Sequence, residues 1–181
     1  MIREWRLRLR CRALLRRLDI QPPLDLHTLL DRIAADRGGR PIELHPYALP
    51  VPGPLGVWYG LADRDLIIYQ EETPEWHQTH IVLHELGHAL SAHPSDAEVN
   101  DEITRTIAAA PPGGIEPGEL GGDDAGRRRR TCYDEAYERE AELIASTIQE
   151  WSSVLRSEPV WNISAGERGI SASLTHHQGW R

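Results

Sequence analysis

Apolar positions along the chain follow two rhythms, one helical and one of short strands. In residues 4–18, Trp5, Leu9, Leu14, Leu15 and Leu18 recur at roughly helical spacing between arginines, which predicts a basic N-terminal helix within residues 1–20. A clearer helix follows, with Asp25 as a good N-cap, a repeat of Leu26, Leu29, Leu30 and Ile33, and a stop at Gly38-Gly39. "PIELHPY", "GVWYGLA" and "DLIIYQ" are β-like, and the last two read as a hairpin around "ADRD". Pro74, after Thr73, suits the start of a helix through "EWHQTHIVLHELGHAL" that should run to about His93 and end before Pro94. Another helix is expected from "SDAEVNDEITRTIAAA", capped by Ser95. Residues 111–130 are too rich in Gly and Pro for regular structure and read as a long surface loop, after which "TCYDEAYEREAELIASTIQEWSSVL" resumes as a strong helix. The expected architecture is α+β, with a small antiparallel sheet packed on the central helix and further helices. Residues 1–156 form a single domain in this reading, and 157–181 a loosely held tail.

Composition narrows the class. The 181 residues suffice for one ordinary core, and 40% hydrophobic with 27% charged residues is globular composition. The chain has no apolar run long enough for a membrane span and no continuous apolar core for a secretory signal. Its two cysteines, Cys11 and Cys132, are too few for a disulfide framework and read as free thiols in a reducing cytoplasm. Seven arginines in residues 1–18 leave an acidic remainder within a net charge of −8, so nucleic acid is not expected as a direct ligand.

The helix through "HIVLHELGHAL" carries the candidate chemistry. His77, His80, His84 and His88 lie within an arc of about 80°, so spacing alone does not choose a metal-binding pair. Glu85 chooses it. A zinc hydrolase needs two imidazoles one turn apart and a carboxylate beside them that can accept a proton from water; only His84 and His88 bracket one, as H-E-x-x-H. The pair His80/His84 would put Ile81 in the position of the base. Ile81, Val82, Leu83, Leu86, Ala89 and Leu90 make the other faces apolar, as befits a helix buried in a core.

The third ligand must come from elsewhere. A third histidine in the extended H-E-x-x-H-x-x-G-x-x-H pattern is excluded, because the chain has Ser91 and Pro94 at those places and His93 out of register, where it reads as a helix-end residue. A carboxylate from a later helix is the usual completion. In "YDEAYEREAELIAS", Glu138 and Glu142 share a face with Ala141 and Ala145, whose small side chains would let that helix approach closely. Glu138 is assigned as ligand and Glu142 as the partner that orients a histidine; the reverse assignment stays open. His77, His80, Tyr133 and Tyr137 are candidate oxyanion donors, and "DLIIYQ" could receive an extended substrate by strand addition.

"HELGH" followed by "EREAELIA", of the form E-x-E-A-x-x-x-A, resembles the ImmA/IrrE family of metallo-endopeptidases. The resemblance covers about residues 25–150 and includes the hairpin and the lead-in "HQTHIVLHELGHAL". It implies a zincin-like fold, Zn²⁺ held by His84, His88 and Glu138, and an intracellular endopeptidase whose substrate is a helix-turn-helix transcriptional repressor. Family members commonly carry Asn or Asp where this chain has Glu142. The alternative function is a non-catalytic, zinc-binding regulatory or toxin-like partner of a transcriptional regulator; a metal hydrolase acting on something other than protein is a third class.

Overall fold

The computed structural model describes residues 2–93, 101–116, 120 and 135–153. Among them are five helices, α1 (Ile2–Arg17), α2 (Leu26–Asp36), α3 (Glu75–Leu90), α4 (Asp101–Ala109) and α5 (Glu135–Ser153), and three strands, β1 (Ile42–Tyr47), β2 (Gly56–Gly60) and β3 (Asp65–Gln70). The class is α+β, as the sequence predicts. The expected N-cap is present: the Asp25 carboxylate accepts from the Thr28 N–H at 2.6 Å, and that bond chiefly holds its pKa below the usual range. Ser95, Cys132, Tyr133 and the expected tail at 157–181 lie outside the described residues.

The sheet is mixed, which corrects the expectation of an antiparallel one. Its order is β1-β3-β2. The β2–β3 hairpin is antiparallel with Val57 opposite Ile68, whereas β1 runs parallel to β3 with Leu44 opposite Ile67. The reason lies in β3. Leu66 and Ile68 face one side and Ile67 the other, and all three are fully buried, so this strand is covered on both faces and takes the centre. The less buried β1, which carries Glu43 and His45, stays at the edge. With both of its ladders occupied, β3 cannot accept a substrate strand.

Each face of the sheet has its own core. Trp58 and Ile67 pack with Leu29, Leu30 and Ile33 of α2, Val82, Leu83 and Leu86 of α3, and Ile144, Ala145 and Ile148 of α5. On the opposite face Val57, Tyr59, Leu66 and Ile68 meet Ile107 of α4 together with Ile115 and Leu120. The latter two belong to the segment expected as a surface loop, and in its described part the apolar side chains are buried against the sheet. Tyr59 and Thr104 pair their hydroxyls at 3.2 Å, fixing α4 to β2.

At the N-terminus the helix forms but turns a different face inward. Cys11 and Leu15 are buried with Leu7 and Leu18 beside them, while Trp5 and Leu9 are exposed. Burial pushes the Cys11 thiol up to about 11, so it is an unreactive core group. Arg8 and Arg12 meet Glu150 of α5, and Arg16 lies over the Trp151 ring.

A buried carboxylate ties α2 to the hairpin. Asp65, fully buried, accepts from Arg37 Nη1 at 2.7 Å, Arg40 Nη2 at 2.9 Å and Trp58 Nε1 at 3.2 Å. Gly38 and Gly39, at φ +86° and +82°, turn the chain so that the two arginines flanking them reach one acid. Among the described residues no helix is long and apolar enough to cross a membrane.

Candidate metal centre

Close helix packing brings the site together. Gly87 on α3 faces Ala141 on α5, and a Cβ at Gly87 would lie 2.8 Å from both the Ala141 Cα and its carbonyl oxygen. Ala141 and Ala145 are fully buried, in line with the close approach expected of them. Sequence reasoning took Gly87 as an unspecified position of H-E-x-x-H, yet a glycine inside a buried helix is itself a signal of backbone contact. Gly87→Ala gains helix propensity of up to about 1 kcal/mol. The clash is with backbone, however, so relief requires the helices to part; we expect a net loss of about 1–3 kcal/mol of stability, read as a lower denaturant midpoint, and weaker metal binding. A variant with unaltered midpoint and metal affinity would contradict this contact.

Glu138 projects from α5 one turn before Ala141, into the gap between His84 and His88. His84 Nε2 lies 3.2 Å from Glu138 Oε2, His88 Nε2 lies 3.5 Å from Glu138 Oε1, and the two Nε2 atoms are 3.2 Å apart. Four ligands placed tetrahedrally about 2.0–2.1 Å from zinc would be about 3.3 Å from one another. Two imidazole nitrogens and a carboxylate at that mutual spacing could hold a metal ion. The site is half-buried.

Glu142, one turn further on, is not part of this group of three. Its Oε2 lies 3.6 Å from His84 Nδ1 and 3.1 Å from His80 Nε2, and its Oε1 accepts from Ser146 Oγ at 2.9 Å. It therefore stands behind His84, on the nitrogen away from the ligand gap, where a carboxylate fixes the imidazole's tautomer. His80 also reaches Gln149 Oε1 through Nδ1 at 3.2 Å, so it braces Glu142. His77 stacks on Trp76 near the start of α3, and Tyr137 stacks on His93 at 4.4 Å.

Glu85 points toward β2 and is buried. A Cβ at Gly56 would lie 2.7 Å from Glu85 Oε1 and 2.6 Å from Ile81 Cγ2. Only glycine lets the strand come this near the carboxylate.

His93 was missed. It is buried, with a side chain 4% exposed, and its Nδ1 lies 3.0 Å from His88 Nδ1. The helix ends at Ser91, earlier than expected, and Ala92 takes φ +52°. The His93 N–H then bonds the His88 carbonyl at 3.1 Å and the Ala92 N–H the Ala89 carbonyl at 3.4 Å, a Schellman turn that folds His93 back over the helix. No sequence signal marks it, because the left-handed position is alanine rather than glycine.

His84 and His88 differ in their protons. Burial opposes charge on His84, but the hydrogen bond and charge of Glu138, followed by Glu142, outweigh it and raise the pKa above 6.5. Burial pushes His88 down to about 4 against the pull of Glu138, with His84 and His93 adding to the fall. Glu138 is lowered, chiefly by its hydrogen bond with His84. Metal binds neutral imidazole. His84 must therefore release a proton below its raised pKa, and metal affinity should fall about tenfold per pH unit there. The fall steepens only toward pH 4, where His88 also protonates. Chelator competition between about pH 5 and 8 reads this slope, and a flat profile would contradict it.

No protein family, no curated protein and no solved structure matches the chain.

Proposed function

We propose that the protein is a zinc-dependent endopeptidase acting on an intracellular protein. The convergence of His84 Nε2, His88 Nε2 and Glu138 at tetrahedral spacing carries this reading. Zinc bound there would supply the Lewis acidity that activates water and polarises a carbonyl. Glu85, next to His84 in sequence and held against β2, would accept the proton from water and return it to the leaving amine. β2 pairs with β3 on one side, and among the described residues no strand pairs with its other side. An extended substrate would add along β2 rather than β3, passing Gly56 beside Glu85.

The resemblance of "HELGH" and "EREAELIA" to the ImmA/IrrE family supports a zincin-like fold and a helix-turn-helix repressor as the substrate class. Metal analysis of the purified protein, with Glu138→Ala and Glu142→Ala beside it, tests the centre. Glu138→Ala should lose the metal, whereas Glu142→Ala should keep it with affinity about 10–100-fold weaker. The opposite pattern would exchange the two roles. Cleavage of a candidate repressor must stop on chelation and return with zinc; cleavage that persists without metal would refute the enzyme reading.

A further inference from the structure

We propose that His93 is a positioning residue for the metal centre, accepting the Nδ1 proton of His88 and so fixing the tautomer in which His88 Nε2 is a ligand. The inference rests on the metal reading above. The two nitrogens of His88 have separate surroundings: Nε2 faces His84 and Glu138, at 3.2 and 3.5 Å, and Nδ1 faces His93 Nδ1 at 3.0 Å. One hydrogen fits between the two Nδ1 atoms. A neutral His88 that ligates through Nε2 carries its only proton on Nδ1, so it donates and His93 accepts. A neutral His93 then carries its own proton on Nε2. Glu140 Oε2 lies 3.7 Å from that nitrogen, on the side where an anion favours the proton. The order is metal, His88, His93, Glu140, with each proton placed by the one before it.

The surroundings hold His93 in that place. Its ring is stacked on Tyr137 of α5 at 4.4 Å and 29°, and its backbone is held by the turn through Ala92. The two ligand histidines are thus oriented from behind by different means. Glu142 and His80 stand behind His84, and a second imidazole backed by Glu140 stands behind His88. Burial makes the latter arrangement matter: an unpaired N–H on His88 facing a dry wall would favour the other tautomer, with Nε2 protonated and unable to bind metal.

The test compares zinc affinity, by chelator competition, of the wild type, His93→Asn and His93→Leu. Asparagine sets a carbonyl oxygen near the place of the imidazole Nδ1, and leucine has the same shape without an acceptor. We expect His93→Leu to bind zinc about 10–100-fold more weakly and His93→Asn to recover most of that loss. A wild type that binds zinc at His84, His88 and Glu138 while His93→Leu binds equally tightly overturns the positioning role alone. A wild type that binds no metal overturns the metal reading and this inference together. If His93→Leu gives no cooperative melt, long-range ¹H–¹⁵N spectra of the zinc-loaded wild type decide instead. His93 protonated on Nε2 with a bare Nδ1 supports the assignment, and His93 protonated on Nδ1 overturns it.

Discussion

If the protein is the zinc endopeptidase proposed above, Glu85→Gln is expected to retain the metal and to slow peptide cleavage by about 10²–10⁴-fold, the usual contribution of a positioned general acid–base. Glu85 is not among the three residues that could hold a metal, so its replacement leaves their donor atoms in place. Glutamine has the same size, and the space beside Gly56 and Ile81 stays filled. What it lacks is a site that takes a proton from water at neutral pH. Single-turnover cleavage and metal content should therefore separate, one falling and the other unchanged. Full cleavage by the metal-loaded variant would leave Glu85 without a chemical role, whereas biological function that survives the loss of cleavage would favour the non-catalytic partner. Loss of metal would mean that the carboxylate shapes the ligand set rather than the reaction.

The largest expected loss of stability comes from Asp65→Ala, at about 3–5 kcal/mol, because it leaves arginines drawn to a buried acid without their partner. Arg37 and Arg40 are each some 30% exposed, so solvent relieves part of this and the lower end of the range applies. The Trp58 indole N–H loses its acceptor as well, inside the main core. At roughly 2–4 °C per kcal/mol for a chain of this size, the melting temperature should fall by about 6–12 °C. The surface pair Arg17–Asp36, at 2.5 Å, is the internal contrast: Arg17→Ala should cost no more than about 1 kcal/mol. Equal effects from the two substitutions would mean that Asp65 holds nothing together.

Much of the site was legible because helices have a fixed geometry. The H-E-x-x-H spacing and the common face of Glu138, Ala141 and Ala145 need only 100° per residue to be read, and α3 and α5 meet along those faces. Strands offer no such shortcut, since alternation tells which side chains share a face and not which neighbour the strand takes. The central place of β3 was nonetheless written in its unbroken apolar run from Leu66 to Tyr69, a pattern of burial on both faces. In α1 the apolar positions fall on two opposite faces, and counting Trp5 and Leu9 with Leu15 blurred them. His93 depends on a turn through Ala92 that follows no composition rule, so its place over His88 could be learned only from the fold.

His88 and Glu138 stand roughly fifty residues apart in sequence, on separate helices. An ion held between them binds the docked pair and not the separated helices, so its binding free energy is added to that of folding. At free metal 100 times Kd the addition is about 2.7 kcal/mol, a large share of the stability an ordinary domain possesses. The chain's resistance to proteolysis would then follow the metal supply of its surroundings, and scarcity would thin its numbers as well as silence the survivors.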